Sequence, residues 1–121
     1  MSADCIFCKI IAGEIPGKVV YRDDDYIVFF DVNPKATLHL LICPIEHSAT
    51  VQESRPEIVA GAVAVVQSLA KQLGIEDNYS LQINNGADAG QIEFHLHIHL
   101  MSHSKTGAEK ARALAEAQHS S

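Results

Sequence analysis

The chain has 121 residues, of which 47% are apolar, enough to build one hydrophobic core and too many for global disorder. Its formal net charge is −6, and its nine Lys and Arg residues are scattered from Lys9 to Arg112, so the concentrated basic surface that nucleic acid requires is missing. No apolar run approaches the roughly 20 residues of a membrane span, Met1–Cys5 lacks the pattern of a secretory signal, and three cysteines do not make a disulfide framework; a cytoplasmic location follows as the expectation.

Residues 6–13 set Ile6, Phe7, Ile10 and Ile11 at short helical spacings before Gly13, which reads as one or two turns of helix. Residues 18–22 and 26–31 are β-rich runs joined by Asp23-Asp24-Asp25, a hairpin signal. Asn33-Pro34 breaks the second run, and residues 37–43 form a third strand closed by Pro44. Ser54-Arg55-Pro56-Glu57 fits a capping box, with Ser54 as the cap and Glu57 reaching back. Behind it Ile58, Val59, Ala62, Val65, Val66, Leu69, Ala70 and Leu73 recur at helical spacing until Gly74. Residues 79–84 and 93–101 read as two more strands around a loop of turn-forming residues, 85–90. Residues 107–118 read as a short C-terminal helix. With so few large apolar side chains it is expected to be mobile or to pack on a partner chain. The fold class is α+β: an antiparallel sheet of about five strands with one long helix on a face and a short N-terminal helix. No repeat or internal boundary divides the chain, so 1–121 is read as a single domain.

The chemistry is concentrated in His95-Leu96-His97-Ile98-His99. On a strand, alternate side chains share a face, so the three histidines line one side while Leu96 and Ile98 point to the core. Same-face neighbours lie about 6.5–7 Å apart, close enough for two rings to touch one phosphate. Imidazole titrates near neutrality, so one ring can attack phosphorus while its neighbour donates a proton. On one strand, positions i and i+4 are about 13 Å apart, so a single metal ion cannot be held by all three without help from other residues. With few cations nearby, a bound phosphate would rely on backbone N–H groups, histidines and neutral side chains. Cys5 and Cys8 form a Cys-x-x-Cys pair outside any βαβ context, which disfavours a thioredoxin-like role and leaves a zinc site in need of two more ligands. Cys43, inside a strand, reads as a small core residue.

The segment resembles the His-x-His-x-His-x-x signature of the histidine triad (HIT) superfamily, and the similarity extends along the chain. Ile6-Phe7-Cys8-Lys9-Ile10-Ile11 with Glu14-Ile15-Pro16, Phe30-Asp31-Val32-Asn33-Pro34, His39-Leu40-Leu41-Ile42-Cys43-Pro44-Ile45-Glu46-His47, Asn84-Asn85-Gly86 and Ala89-Gly90-Gln91 are each similar to blocks of that family, in order. The resemblance covers about residues 5–103 and leaves 104–121 as a tail. It implies a homodimer joining two sheets, with His97 as the nucleophile that becomes nucleotidylated and His99 assisting the leaving group. It places Asp31 on the ribose, Ile6, Phe7, Ile10, Phe29, Phe30 and Val32 around the base, Asn84, Gly90 and Gln91 near the phosphate, and His39 and His95 in support.

The related nucleotidyltransferases carry glutamine where His99 stands, so the resemblance favours hydrolysis. It points to purine nucleoside phosphoramidates as substrates and needs no organic cofactor. The alternatives are a dinucleoside polyphosphate hydrolase and a non-catalytic nucleotide- or zinc-binding regulatory dimer. Ile92 departs from the pattern, since many members have Ser or Thr after the glutamine, and this leaves the leaving-group chemistry open. Similar bacterial members bind zinc through positions that are Cys5, Cys8, His47 and His95 here, which would make a closed, structural Cys₂His₂ site.

Overall fold

The computed structural model describes residues 5–119; residues 120 and 121, the end of the expected tail, lie outside the described residues. The elements are helix α1 (Ile6–Ile11), strands β1 (Val19–Arg22), β2 (Tyr26–Phe30) and β3 (Leu38–Pro44), helix α2 (Pro56–Leu73), strands β4 (Ser80–Gln82) and β5 (Ile98–Ser102), and helix α3 (Lys105–His119). The five strands form one sheet in the order β1-β2-β3-β5-β4, every pair antiparallel. The β1–β2 turn is pinned by Asp23, whose Oδ1 accepts from the backbone N–H groups of Asp25 and Tyr26 at 2.8 and 2.7 Å.

Strand alternation sorts the core into two layers. Val28, Leu38, Leu40, Ile42, Ile98 and Leu100 pack against α2 and α3 on one face. Ile27, Phe29, Leu41 and Cys43 pack against Phe7 and Ile11 of α1 on the other. His39 and His99 share parity with this second set, so they stand on the face that α2 leaves open.

Three expectations are corrected. The fifth strand begins at Ile98, not at residue 93, so His95 and His97 lie on irregular backbone leading into it. The Ile42–Ile98 pairing would continue to Pro44 and Leu96. Pro44 has no N–H to offer, and Leu96 donates instead to the Ser48 carbonyl at 2.7 Å.

The capping box does not form: Arg55 is the N-cap of α2 and makes no side-chain cap bond. Ser54 Oγ instead donates to the Thr50 carbonyl at 2.7 Å. Glu57 lies 3.6 Å from the Arg55 guanidinium rather than reaching a cap N–H.

Finally, α3 packs on this chain's own core. Ala108, Ala111 and Ala115 are buried among residues of α2 and the sheet. Small side chains suffice because the helix approaches closely: a Cβ on Gly107 would sit 2.6 Å from Ile75 Cγ2.

Candidate active site and metal centre

His95 is the pivot of the site. Its ring is fully buried, and its Nε2–H donates to the Pro44 carbonyl at 2.7 Å. The lone pair on Nδ1 then faces Cys5 Sγ at 3.3 Å and Cys8 Sγ at 3.5 Å. Burial, reinforced by His47 and His97 nearby, pulls its pKa down to about 4 against the effect of the Pro44 bond, so the ring is neutral near pH 7.

His47 repeats the arrangement, with Nε2–H donating to the Phe94 carbonyl at 3.0 Å. Ligand atoms from Cys5, Cys8, His47 and His95 all lie within 4.8 Å of one another. Each histidine thus has one nitrogen tied to a backbone carbonyl and the other turned to the cluster, the arrangement usual for metal-bound imidazole. Two thiols and two imidazoles suit zinc. The Cys-x-x-Cys spacing works because Cys5 is the N-cap of α1, its sulfur accepting from the Cys8 N–H at 3.2 Å.

His97 comes next. Its Nδ1–H donates to the His95 carbonyl at 2.8 Å, so the neutral tautomer carries its lone pair on Nε2. Phe7 meets the His97 ring edge to face, with centroids 5.0 Å apart and planes at 89°. The His99 ring also meets it edge to face, with centroids 5.0 Å apart.

A second chain of bonds orients His99. The Lys35 N–H donates to His39 Nδ1 at 3.0 Å, so the proton of neutral His39 is on Nε2. That nitrogen lies 2.9 Å from His99 Nδ1 and 3.4 Å from Asp31 Oδ2. Accepting at Nδ1, neutral His99 carries its own proton on Nε2. Burial, with His97 and His39 adding to it, brings the His99 pKa down to about 4. Burial also lowers that of His39, opposed by the Asp31 carboxylate. Both are neutral at physiological pH. Cys43, fully buried, has its thiol pushed well upward by desolvation and stays apart from this chemistry.

The expected binding residues are distributed unevenly. Phe7 and Phe29 pack edge to face at 5.3 Å, with Ile10 against the same cluster. Ile6 is 43% exposed and Val32 is 90% exposed. Phe30 is not brought to this group, since alternation turns it to the opposite face among the α2-side residues. Asp31 is half-buried and caps its own turn, Oδ1 accepting from the Asn33 N–H at 2.8 Å.

Around the loop at 84–91, Gly86 and Gly90 adopt φ of 93° and 94°, conformations that favour glycine. Gln91 braces that loop: its Oε1 accepts from the Gly86 N–H, and its Nε2 donates to the carbonyls of Ala49 and Glu93. Its side-chain amide is therefore engaged within the protein. Asn84 Oδ1 accepts from Gln82 Nε2 at 2.9 Å. Ile92, next to Gln91, is 83% exposed.

The groups missed by sequence reasoning are backbone atoms, namely the carbonyls of Pro44, Phe94 and His95 and the Lys35 N–H. Every residue type carries such groups, so no sequence signal marks them.

Residues 12–106 match the HIT domain family. The adenylylsulfatase HINT3 of Arabidopsis thaliana is 42% identical over 102 residues, covering 81% of this chain and 51% of its own. A HIT family hydrolase from Clostridium thermocellum has 40% identity and a TM-score of 0.80, with 84% of this chain and 92% of that one covered. A zinc-bound histidine triad family protein from Mycobacterium smegmatis has 27% identity and a TM-score of 0.80, with 97% and 96% covered. On the sequence match, the shared fold and the row of histidines, this protein belongs to the HIT family.

Proposed function

We propose that the protein is a nucleotide hydrolase that cleaves the P–N bond of purine nucleoside phosphoramidates through a nucleotidyl-His97 intermediate. The observation that carries this is the tautomer of His97. With Nδ1–H held by the His95 carbonyl, Nε2 presents a lone pair for attack on phosphorus. His99, neutral and protonated at Nε2, donates a hydrogen bond to the departing nitrogen or a phosphoryl oxygen. The P–N bond breaks and the nitrogen leaves as an amine with a proton drawn from solvent. Water then attacks phosphorus, its oxygen staying on the phosphate and its proton returning to solvent, so that the phosphorus–His97 bond opens, the nucleoside monophosphate leaves and His97 is restored.

Phe7, Ile10 and Phe29, with exposed Ile6 and Val32 at the rim, would receive the base, and Asp31 the ribose hydroxyls. Backbone N–H groups of the loop held by Gln91, with Asn84 and Gly90, would approach the phosphate. The names of two relatives, a hydrolase and an adenylylsulfatase, support phosphorus-centred chemistry on a nucleotide. Three free cysteines suit a reducing, cytoplasmic setting. The cluster of Cys5, Cys8, His47 and His95 would hold zinc as a closed structural site. Strand β4 ends the sheet with every residue exposed, Leu81 included, which supports a homodimer across that edge.

The test is mass spectrometry after brief exposure to an adenosine phosphoramidate. A nucleotidyl adduct is expected on the wild type and none on His97→Ala, which should still bind a purine monophosphate. Equal turnover by His97→Ala would overturn the mechanism. Faster cleavage of a diadenosine polyphosphate than of the phosphoramidate would favour the dinucleoside polyphosphate reading. Monophosphate binding without an adduct would favour a regulatory dimer.

A further inference from the structure

We propose that the Cys5–Cys8–His47–His95 cluster is a positioning device for His97, so that metal occupancy sets the orientation of the nucleophilic ring. This rests on the reading of His97 as nucleophile.

His97 sits one residue before β5, on backbone that no strand pairing holds. Two of the bonds that hold the segment before it come from cluster residues. The His47 ring donates to the Phe94 carbonyl at 3.0 Å, and the His95 ring donates to Pro44 at 2.7 Å. The third is the Leu96 N–H to the Ser48 carbonyl. The carbonyl that selects the His97 tautomer belongs to His95 itself. A metal on His95 Nδ1 and His47 would therefore clamp the peptide that orients the nucleophile.

A second connection runs through α1. Phe7 lies between the two cysteines in sequence and meets both His97, at 5.0 Å, and His95, at 6.0 Å. With six residues, α1 is too short to be stable alone and depends on packing and on its cysteine cap. Metal held by Cys5 and Cys8 would fasten the helix that presses Phe7 against the nucleophile. The cysteines and His47 act on the reaction through His97 and are positioning residues; Phe7 also borders the base site, so its effect on His97 is read from the ring signals rather than from the adduct rate alone.

The experiment compares zinc-loaded protein with protein stripped by a chelator. The readouts are ¹⁵N signals of the His97 imidazole and hydrogen exchange along the chain. Loaded protein is expected to show one tautomer, protonated at Nδ1. On stripping, the ring should average between tautomers and exchange should rise over residues 5–11 and 94–97, while β2 and β3 stay protected. Phe7→Leu keeps all four ligands. It should bind zinc undiminished, show mixed His97 tautomers even when loaded, and form adduct at least about tenfold more slowly, a factor worth about 1.4 kcal/mol.

Identical His97 ring signals with and without zinc would overturn the proposal. So would failure to bind zinc, or unfolding of the whole sheet on stripping. The ring signals report the coupling even when no adduct forms, so failure of the hydrolase reading is separately visible.

Discussion

His39 and His99 face each other across 2.9 Å, Nε2 to Nδ1, with the His39 proton directed at the His99 lone pair. This one contact determines which nitrogen of His99 is a donor, and it opposes protonation of His99, because a charged His99 would set N–H against N–H. Replacing His39 with Ala should therefore raise the His99 pKa from about 4 towards the ordinary 6.5. An NMR titration of the His99 ring checks this; an unmoved midpoint would show that burial and His97 set the value without His39.

Stability should fall on acidification. The folded-state pKa of His99 is about 4, against the ordinary 6.5 of a histidine in the unfolded chain. Between these values the unfolded state binds more protons, so unfolding is favoured as pH drops. The contribution is fully present above about 6.5 and is lost progressively down to about 4. His39, lowered in the same direction, adds to the trend. Urea midpoints between pH 7.5 and 4.5 should decline (the range is about that of the two pKa values), and the decline should be shallower in His99→Gln. A parallel decline in that variant would assign the effect elsewhere.

Gly61 is required by Tyr26. The Tyr26 hydroxyl donates to the Ile58 carbonyl at 2.7 Å, fastening β2 to α2. A Cβ on Gly61 would lie 2.0 Å from that oxygen and 2.8 Å from Cζ. Gly61→Ala should displace the ring, break the bond and destabilise the fold by about 1–3 kcal/mol, despite the better helix propensity of alanine. Denaturant unfolding measures this; a stabilised variant would mean that the helix shifts without cost.

Metal analysis of the purified protein should find about one zinc per chain, the stoichiometry of a closed four-ligand site. Cys8→Ser and His47→Ala should each lose most of it, and chelation should lower the melting temperature of the wild type. Full zinc content in both variants would place the ion elsewhere.

Much of the fold was legible in the sequence because its signals are local. The helical spacing from Ile58 to Leu73, the Asp23–Asp25 turn and the strand run at 37–43 closed by Pro44 are each written in their own short segment. The spacing of His95, His97 and His99 is local too, and it marked the segment around which the candidate site is built.

Tertiary structure decided how those histidines differ. His95 turns to the cysteines of α1, His97 is set by the His95 carbonyl, and His99 is set by His39 from the neighbouring strand. It also delayed the start of β5 to Ile98, turned Phe30 away from Phe29, and seated α3 through Ala108, Ala111 and Ala115. The physical reason is common to these cases. A side chain's type and spacing are properties of its own segment, but its proton, its partner and its burial depend on what another segment brings against it. For backbone carbonyls such as those of Pro44 and His95, that meeting is visible only in the folded chain.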